Sequence, residues 1–588
     1  MPLRTGALWA FIAVLALLPL SPVPELWITQ AIYIALYSLV TIGLMLLTGV
    51  AGLTSFGQAA FVGLGAYTSA YLTTVHGISP WLTVWVGLLV TAFAALNVAF
   101  VTLRMSGHYL PLATIAWGLS LYYLLGNIDA LGKFDGLLDI PALHLFGTPL
   151  KSGRSYYGLC WLLVIGAALG VNNLLDSRAG RALRALRGGE VLTEAMGVNT
   201  FRMKVTAFVL AALLASVSGW LFAHFQRTVN PSPFGLQRGI EYLFMGVLGG
   251  MGQVWGAIVG AALVKVLEER LQQWLPLLTG STGNYEVIVF GIVLVLVLHY
   301  ARDGVWAFVE ARLPERKRKR DWDDAEPLPE RKRPERGELV LDVRDVRKQF
   351  GGLTAVRDVS FQVRAGEIVS LIGPNGAGKS TTFNLVSGVL PLSRGEVSFR
   401  GQSITGLGAR AIAQRGVART FQHVKLIAGM SVLENVALGA HLRGQQGVLA
   451  ATLRLERREE RRLLREAERQ LSRIGIAQYA DQPAANLALG QQRLMEIARA
   501  LCADPALLLL DEPAAGLRHR EKQALCDVLR QLRAEGLSVL LVEHDMDLVM
   551  QVTDRIVVME FGTKLMEGLP EEVQASEAVR AAYLGMEH

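Results

Sequence analysis

The chain has 588 residues, 52% of them apolar, and carries a formal net charge of +7. This length predicts three or four compact units instead of one core. Apolar residues dominate the first half and charges the second, which excludes a uniformly soluble chain and predicts a membrane part followed by a soluble part. The basic excess is typical of cytoplasmic loops, and since no nucleic-acid-binding motif accompanies it, we expect no nucleic-acid partner.

The three cysteines, Cys160, Cys502 and Cys526, are isolated, with no C-x-x-C pair. This pattern predicts neither a disulfide framework nor a zinc site. It is compatible with a reducing cytoplasm around the soluble half.

Long apolar runs fill residues 1–309, which we predict to be a multi-span α-helical membrane domain with about eight to ten spans. A helix needs about 20 apolar residues to cross about 30 Å of hydrocarbon. The candidate runs are residues 7–24, 28–50, 51–75, 81–103, 109–126, 157–176, 204–226, 241–273 and 285–303. The first run lacks the cleavage pattern of a signal peptide, so we expect it to be retained.

The basic loops predict the orientation of these runs. Residues 177–204 carry six Arg and Lys residues and are therefore expected in the cytoplasm, as is the charged stretch after residue 309. Between these two points the number of crossings must be even, but single passes would make three. The glycine-rich "LGGMGQVWGA" at 248–257 interrupts the middle run, so we predict a re-entrant pair of half-helices near 241–273.

Two features of the membrane half have open interpretations. Small residues crowd 49–67, which either permit close helix packing or line a translocation path. Ionisable residues within a membrane are candidate functional groups, and His224, Glu241 and Lys265 are of this kind. Each lies near the end of an apolar run, where snorkelling is the simpler explanation, so none is assigned a role.

Residues 310–337 are rich in proline and in alternating basic and acidic blocks. Such a segment buries too little apolar surface to order itself, and we expect a flexible cytoplasmic linker. Its basic blocks suit contact with anionic membrane lipid.

The soluble half contains a phosphate-binding loop in the expected strand-turn-helix context. The strand "IVSLI" leads into G-x-x-x-x-G-K-S, which opens a helical run. Backbone N–H groups of the loop and the helix N-terminus favour phosphate, Lys379 is expected to pair with the β- and γ-phosphates, and Ser380 to ligate Mg²⁺. The predicted nucleotide-binding residues are Gly373, Pro374, Asn375, Gly376, Ala377, Gly378, Lys379, Ser380 and Thr381.

Two further strands end in acidic or basic side chains. After "ALLLL" at 506–510, Asp511 is placed to hold Mg²⁺ and Glu512 to act as general base toward water. After "LSVLLVE" comes His544, a candidate sensor of the γ-phosphate. These residues predict an ATP hydrolase that uses ATP and Mg²⁺.

The phosphate loop, "RTFQ", "LALGQQ", "LLLLDEP" and "VEHD" occur in the order and spacing of the ATP-binding cassette family, which the chain resembles over 338–588. This implies an α/β P-loop NTPase domain after the membrane domain. "GVARTFQHVKLIAGMSVLENV", "DEPAAGL" and "EHDMDLVM" look like the ATPases of branched-chain amino acid importers. Residues 28–305 resemble the permeases of those systems, with 181–199 as the cytoplasmic coupling segment, although "GKFDGL" at 132–137 departs from their pattern.

The resemblance implies further site residues. Gln422 is expected to ligate Mg²⁺ and to connect the nucleotide with the permease, and Phe350 to stack on adenine unless it merely packs. By the same resemblance, Ala488, Gly490 and Gln491 of the signature element contact the ATP of a partner subunit.

This signature departs from L-S-G-G-Q at two positions, and Leu489 replaces the aromatic residue usual in these importers. Backbone N–H groups at a helix start bind phosphate without a serine, so we expect an active site. Arg518 stands where an acidic or amide residue is usual, which allows asymmetry between two composite sites. The charged helix predicted at 454–471 is explained by a solvated face.

These features together predict an importer of branched-chain amino acids, with permease and ATPase in one chain, in a bacterial cytoplasmic (inner) membrane. Its expected partners are a second permease, a second ATPase, an extracytoplasmic solute-binding protein and membrane lipid. Alternative substrates are urea, short-chain amides or aromatic acids. An ABC exporter half-transporter and a membrane-tethered ATPase that does not transport remain alternative functions.

Overall fold

The computed structural model describes residues 13–104, 109–145, 147–279, 286–300, 304–312 and 321–584. The chain forms two compact units, residues 1–176 with 201–317 and residues 177–200 with 318–588. Residues 177–200 thus lie within the membrane half of the sequence but pack in the second unit. The sequence-based division at 309 and 338 did not anticipate this.

In the described residues up to 312, the regular secondary structure is helical apart from a short hairpin of β1 (His144–Leu145) and β2 (Thr148–Pro149). The helices are α1 (Glu25–Leu44), α2 (Gln58–Thr74), α3 (Pro80–Thr102), α4 (Tyr109–Asn127), α5 (Gly153–Leu175), α6 (Arg178–Ala185), α7 (Glu190–Ala195), α8 (Thr200–Gln226), α9 (Leu236–Gly249), α10 (Val254–Thr279), α11 (Glu286–Tyr300) and α12 (Val305–Glu310). In the first unit, α1 packs against α5 and α10, and α2 against α3.

Five helical stretches in the described residues are long and apolar enough to cross a membrane: α3, α4, α5, α8 and α1 extended to Val50. Helices α9 and α10 together form a sixth candidate, bent by 119° at the glycine-rich break, which is either a broken span or a re-entrant loop. This count takes in helices with at least 18 described residues, so it leaves out α2, which has 17 residues, and α11, of which residues 286–300 are described. Part of the expected first run, up to residue 12, lies outside the described residues.

The small residues of 49–67 permit close packing between α2 and α8. A Cβ atom on Gly65 would overlap the carbonyl oxygen of Ser216, and one on Gly219 would overlap that of Val62. Glycines therefore let the two backbones touch. Of the two interpretations left open for this stretch, the structure favours close helix packing at Gly65.

His224 does not snorkel, and the expectation that it does is wrong. The side chain is buried on α8, where Nδ1 lies 2.8 Å from the carbonyl oxygen of Pro141 and Nε2 2.8 Å from the hydroxyl of Ser69. Because a carbonyl only accepts, Nδ1 carries the proton and Nε2 accepts from Ser69. The polar ring is thereby satisfied inside the protein.

The second unit contains two sheets. The first sheet has six strands in the order β12-β11-β5-β10-β9-β8. Five of them run parallel, and β12 pairs antiparallel at one edge. The second sheet is antiparallel, in the order β4-β3-β6-β7. The strands are β3 (Leu339–Phe350), β4 (Leu353–Arg364), β5 (Ile368–Ile372), β6 (Arg394–Phe399), β7 (Gln402–Ser403), β8 (Val417–Arg419), β9 (Leu507–Asp511), β10 (Ser538–Val542), β11 (Arg555–Glu560) and β12 (Thr563–Gly568). Strands β5, β9 and β10 are buried along their whole length, as their continuous apolar sequences require.

Helices cover these sheets and build a separate helical cluster. They are α13 (Lys379–Val386), α14 (Ala409–Arg415), α15 (Val432–Gly439), α16 (Val448–Thr452), α17 (Arg457–Arg473), α18 (Leu489–Leu501), α19 (His519–Ala534), α20 (Met546–Val552), α21 (Pro570–Ala575) and α22 (Glu577–Leu584). Helix α15 packs against both α17 and α18 through apolar residues. This cluster carries the signature element at the start of α18.

Residues 321–336, here called the docked linker, differ from the flexible linker expected over 310–337. Trp322 is only 1% exposed and Leu328 is buried in the apolar core beside α17. Arg462 donates to the carbonyl of Pro327 at 3.0 Å, and Arg443 to that of Pro329 at 3.1 Å. One buried tryptophan and several arginine-to-carbonyl bonds order a segment whose composition alone predicts disorder. Residues 313–320 of the expected linker lie outside the described residues.

Candidate functional site

The carboxyl ends of four adjacent parallel strands bring the predicted catalytic groups to one edge of the sheet. The phosphate loop follows β5, and His544 follows β10. Asp511 ends β9 with Glu512 directly after it, and Gln422 comes three residues after β8. Open α/β sheets bind ligands at this edge. These groups belong to sequence motifs more than 30 residues apart, and the parallel register of the strands places them side by side.

The phosphate loop has the backbone that its glycines permit. Gly373, Gly376 and Gly378 have φ of +146°, +82° and +93°, which residues with a Cβ atom rarely adopt. A Cβ on Gly378 would lie 2.6 Å from the carbonyl oxygen of Ala355. Asn375 and Gly376 at the tip are exposed. The tip is therefore accessible to phosphate, while the base of the loop is packed too tightly for any other residue.

Helix α13 begins at Lys379, directly after the loop, so Ser380 and Thr381 lie in its first turn. The buried Lys379 ammonium donates to the carbonyl of Gly373 at 2.7 Å and to that of Pro374 at 2.9 Å. Burial lowers the pKa of Lys379, although the carboxylates of Glu512 and Asp511 oppose this effect. The ammonium is thus held under the loop, on the side of the two acidic residues.

Asp511 fits a cation ligand. The side chain is 4% exposed, and its Oδ1 atom faces no hydrogen-bond donor in the described part of the chain. Burial raises the pKa of Asp511 to about 6, an effect opposed by Arg419 and increased by Glu512. A buried carboxylate oxygen without a donor is costly unless a ligand completes its environment. Mg²⁺, which prefers oxygen ligands, suits this atom together with the Ser380 hydroxyl.

Glu512 is held in an unusual backbone conformation, with φ of +46°. Its N–H donates to the carbonyl of Val542 on β10 at 2.8 Å, which fixes the turn after β9. The amide of Gln422 donates to Glu512 Oε2 at 3.2 Å, and Nδ1 of His544 lies 3.9 Å from the same oxygen. The structure therefore joins the three predicted catalytic residues around one carboxylate oxygen.

Sequence reasoning missed two supporting residues. Glu543 is fully buried and accepts from the N–H groups of Ala514 at 2.7 Å and His544 at 3.0 Å. Burial raises the pKa of Glu543, although these N–H groups lower it. The carboxylate thus ties the turn after β9 to the turn after β10. A glutamate next to the histidine of "VEHD" was the only available signal.

Arg493 is the second missed residue. It lies one turn into α18 and donates to the carbonyls of Phe421 at 2.9 Å and of Gln422. The side chain is buried and pairs with Glu496 at 3.8 Å. The signature helix is therefore bonded directly to the backbone that carries Gln422. Nothing in the local pattern of α18 predicts this contact.

The signature residues begin α18, as the sequence predicted. Ala488 is its N-cap residue, and the N–H of Ala488 donates to the side chain of Gln491 at 3.1 Å. A Cβ on Gly490 would lie 2.6 Å from the carboxylate of Glu521, so a larger residue there would have to displace the Glu521 side chain. Leu489 is exposed. The N–H groups at this helix start are presented without a serine.

Phe350 ends β3 in the antiparallel sheet, on a different element from the loop and the signature. The ring is 45% exposed, and the Lys348 ammonium lies 5.0 Å from its centroid. An exposed ring at a strand end is available for stacking. Its proposed adenine contact stays a prediction.

Helix α17 does not have the purely solvated charged face expected from its sequence. Arg181 of α6 donates from Nη1 and Nη2 to the two carboxylate oxygens of Glu460, with Nη2 at 3.0 Å from Oε2. Arg181 is 1% exposed, and burial alone would lower its pKa, but the Glu460 carboxylate outweighs burial and raises it. Arg178 lies 3.6 Å from Glu459. Alternating charges on α17 thus bind residues 177–200.

A chain of contacts connects Gln422 with this segment. The stretch after Gln422 leads to Ile427, whose N–H donates to Asn435 of α15 at 2.9 Å. One residue before Asn435, Glu434 pairs with Arg184 of α6 at 3.2 Å. Gly197, just after α7, accepts from Arg410 at 3.1 Å. Gln422, beside the predicted catalytic carboxylate, is therefore linked through α15 to residues 177–200.

Comparisons with known proteins agree with this geometry. Residues 27–298 match the family model described as branched-chain amino acid transport system/permease component, 356–515 that described as ABC transporter, and 563–588 that described as branched-chain amino acid ATP-binding cassette transporter.

Two curated relatives cover the second half of the chain. The high-affinity branched-chain amino acid transport ATP-binding protein LivG of Salmonella typhimurium is 44% identical over 249 residues, which are 42% of this chain and 98% of LivG. The corresponding protein BraF of Pseudomonas aeruginosa is 41% identical over the same shares. A solved structure, the ADP conformation of an ATP-binding cassette of an ABC transporter, is 30% identical with a TM-score of 0.38 and covers 42% of this chain and 99% of its own.

Proposed function

Because this chain belongs to the ATP-binding cassette transporters of the branched-chain amino acid transport family, we propose that it imports leucine, isoleucine or valine, driven by its own ATP hydrolysis. Permease and ATPase are fused in the one chain. The observation that carries the proposal is residues 177–200, which in sequence separate two membrane helices and in space pack in the unit that contains the ATPase. This arrangement gives nucleotide closure a physical route to the permease helices.

Each group of site residues has its own role in the hydrolysis of ATP. Backbone N–H groups within 373–381 and the Lys379 ammonium would bind the phosphates of ATP, and Asp511 with Ser380 would hold Mg²⁺, assisted by Gln422. Mg²⁺ when bound neutralises developing phosphate charge. Glu512 would accept a proton from the attacking water, and His544, whose Nδ1 lies 3.9 Å from the Glu512 carboxylate, would sense the γ-phosphate.

The proposal includes partners outside this chain. A single cassette presents one phosphate loop and one signature element, so the signature residues Ala488, Gly490 and Gln491 act on ATP held by a second cassette. A second permease and an extracytoplasmic solute-binding protein complete the importer, in a bacterial inner membrane with the ATPase in the cytoplasm. Related permease and ATPase subunits suit these places better than a second copy of this chain.

The test is uptake of radiolabelled leucine, isoleucine and valine by cells whose other carriers for these amino acids are deleted. Cells that express the full chain with its partner subunits should accumulate all three. Glu512→Gln is the matched control, because it preserves size and hydrogen bonding but removes the general base, which contributes about 10²–10⁴-fold. The proposal fails if uptake does not exceed that of cells without the chain, or if Glu512→Gln cells accumulate as much as wild type.

A further inference from the structure

A cavity of about 270 Å³ lies within the membrane unit, between α1, α2, α8, α9 and α10. It is smaller than the roughly 300–1,000 Å³ of sites for drug-sized ligands, so it suits a small solute. Its wall combines aromatic rings with positive charge. Its polar lining includes Tyr33, Tyr37, Tyr242, Arg238 and Lys265.

Two cations face this cavity, and each has a carboxylate partner on its own helix. Arg238 lies 2.5 Å from Glu241 on α9, and Lys265 lies 3.1 Å from Glu268 on α10. In the described part of the chain, the lining residues include both cations but neither carboxylate. The cation side chains are 25% and 14% exposed. Lys265 and Glu241, which the sequence led us to treat as snorkelling residues, therefore belong to a cluster inside the helical bundle.

Tyrosine rings hold the two cations at the cavity wall. The Arg238 guanidinium is 5.4 Å from the centroid of Tyr37, and the Lys265 ammonium is 5.5 Å from that of Tyr33. Tyr242 meets Tyr37 edge to face at 5.6 Å. Cation–π contacts of this length are attractive and restrict the long side chains. The positive groups are thus positioned before any solute arrives, which lowers the entropic cost of binding.

The remaining wall is apolar. Leu36, Val62, Phe222 and Phe234 line the cavity and present hydrocarbon surface. Charged groups inside membrane helices are costly and mark solute or ion pathways. A site with positive charge at one part of its wall and hydrocarbon at another is complementary to a small carboxylate with an apolar side chain.

The cavity lies toward the external end of α8. The basic residues of 177–204 place the start of α8 at the cytoplasmic side, and Gln226, the last residue of this helix, also lines the cavity. A solute released outside the membrane therefore meets this site early in its passage.

We infer that this cavity is a solute-binding site of the permease, in which Arg238 and Lys265 bind the α-carboxylate of an aliphatic amino acid and the apolar wall accepts its side chain. Tyrosine oxygens and ring faces meet the ammonium group. The inference rests on the proposed function and deepens it, because it assigns part of the substrate selection to the permease itself.

The experiment measures binding of radiolabelled L-leucine to the full chain, purified with its partner subunits in lipid nanodiscs and without any solute-binding protein. Arg238→Gln and Lys265→Gln should each weaken binding tenfold or more, because each loses a charge-assisted hydrogen bond. Arg238→Lys keeps the charge and should retain more affinity. Arg270→Gln is the matched control, since Arg270 lies on the same helix as Lys265 but stacks 5.2 Å from Trp27 instead. This control should bind leucine like wild type.

Competition on the wild-type protein tests the same idea without a variant that risks misfolding. 4-Methylpentanoate, which keeps the carboxylate and lacks the amine, should displace leucine, whereas isopentylamine, which lacks the carboxylate, should not. Equal displacement by both compounds overturns the inference, as does Arg238→Gln binding leucine like Arg270→Gln. If wild-type cells accumulate no branched-chain amino acid, the proposed function is wrong. If wild-type cells accumulate leucine but Arg238→Gln binds leucine as tightly as wild type, only the assignment of the cavity is wrong.

Discussion

Replacement of Glu460 by leucine tests how residues 177–200 are attached to the ATPase. Glu460→Leu leaves the guanidinium of Arg181, which is 1% exposed, without the carboxylate that accepts two of its hydrogen bonds. Breaking a buried ion pair on one side costs about 3–5 kcal/mol. Replacing both partners by apolar residues is often neutral, so the double variant Arg181→Met/Glu460→Leu should recover most of this loss.

Amide hydrogen exchange of α6 in the full chain measures the effect. Because every 1.4 kcal/mol changes an equilibrium tenfold, a loss of about 3–5 kcal/mol should speed the exchange of residues 178–185 by about 10²–10⁴-fold. Arg184→Met is the matched control: the Arg184–Glu434 pair is more exposed, 21% and 14%, and should contribute about 1 kcal/mol or less.

Two results would refute the reasoning. Wild-type exchange in Glu460→Leu would mean that the buried pair does not hold the segment. If α6 exchanges its amide hydrogens as fast in the double variant as in Glu460→Leu, lost packing and not an unpaired charge caused the effect. If the segment transmits closure, the ratio of leucine transported to ATP hydrolysed should fall in Glu460→Leu and recover in the double variant.

Three further outcomes are expected. Burial raises the pKa of Asp511 to about 6, so protons compete with Mg²⁺ below that pH; the apparent Mg²⁺ affinity in ATPase assays should fall about tenfold per pH unit below 6 and be constant above it, and a flat profile from pH 5 to 8 would contradict the assignment. Trp322→Ala should destabilise the docked linker by about 3–5 kcal/mol, seen as faster tryptic cleavage at Arg331, while cleavage at the wild-type rate would show that the linker does not depend on this ring. Ala488→Ser should leave ATP turnover within about twofold of wild type, because N–H groups at the start of α18 bind phosphate without a hydroxyl; a large change would mean that the signature is misassigned.

Local patterns were sufficient to predict which motifs meet at the carboxyl edge of the parallel sheet. Backbone freedom at Gly373 and Gly378, a buried strand before Asp511, and the order of the motifs each depend on a few neighbouring residues. The same holds for most membrane helices, because an apolar run of sufficient length has few other stable conformations. The parallel sheet then followed from strands that alternate with helices.

Only the tertiary structure decided which charged residues meet. Arg181 and Glu460 are 279 positions apart, and each on its own helix looks like part of a solvated face. The docked linker likewise depends on Trp322 finding a site beside α17, which its own disordered composition cannot reveal. Arg238 and Lys265 became a candidate binding site because bent helices α9 and α10 bring them, with tyrosines of α1, to one cavity.

The physical reason is the same in these cases. Sequence periodicity and motif spacing report interactions within about one turn or one strand, where geometry is set by the backbone. The energy of a charge depends on its distance to other charges and on how much water remains around it, and both are set by segments far apart in the chain. The sequence by itself determined an ATPase attached to a membrane domain, and the fold decided that residues 177–200 pack with the ATPase and that Arg238 and Lys265 line one cavity.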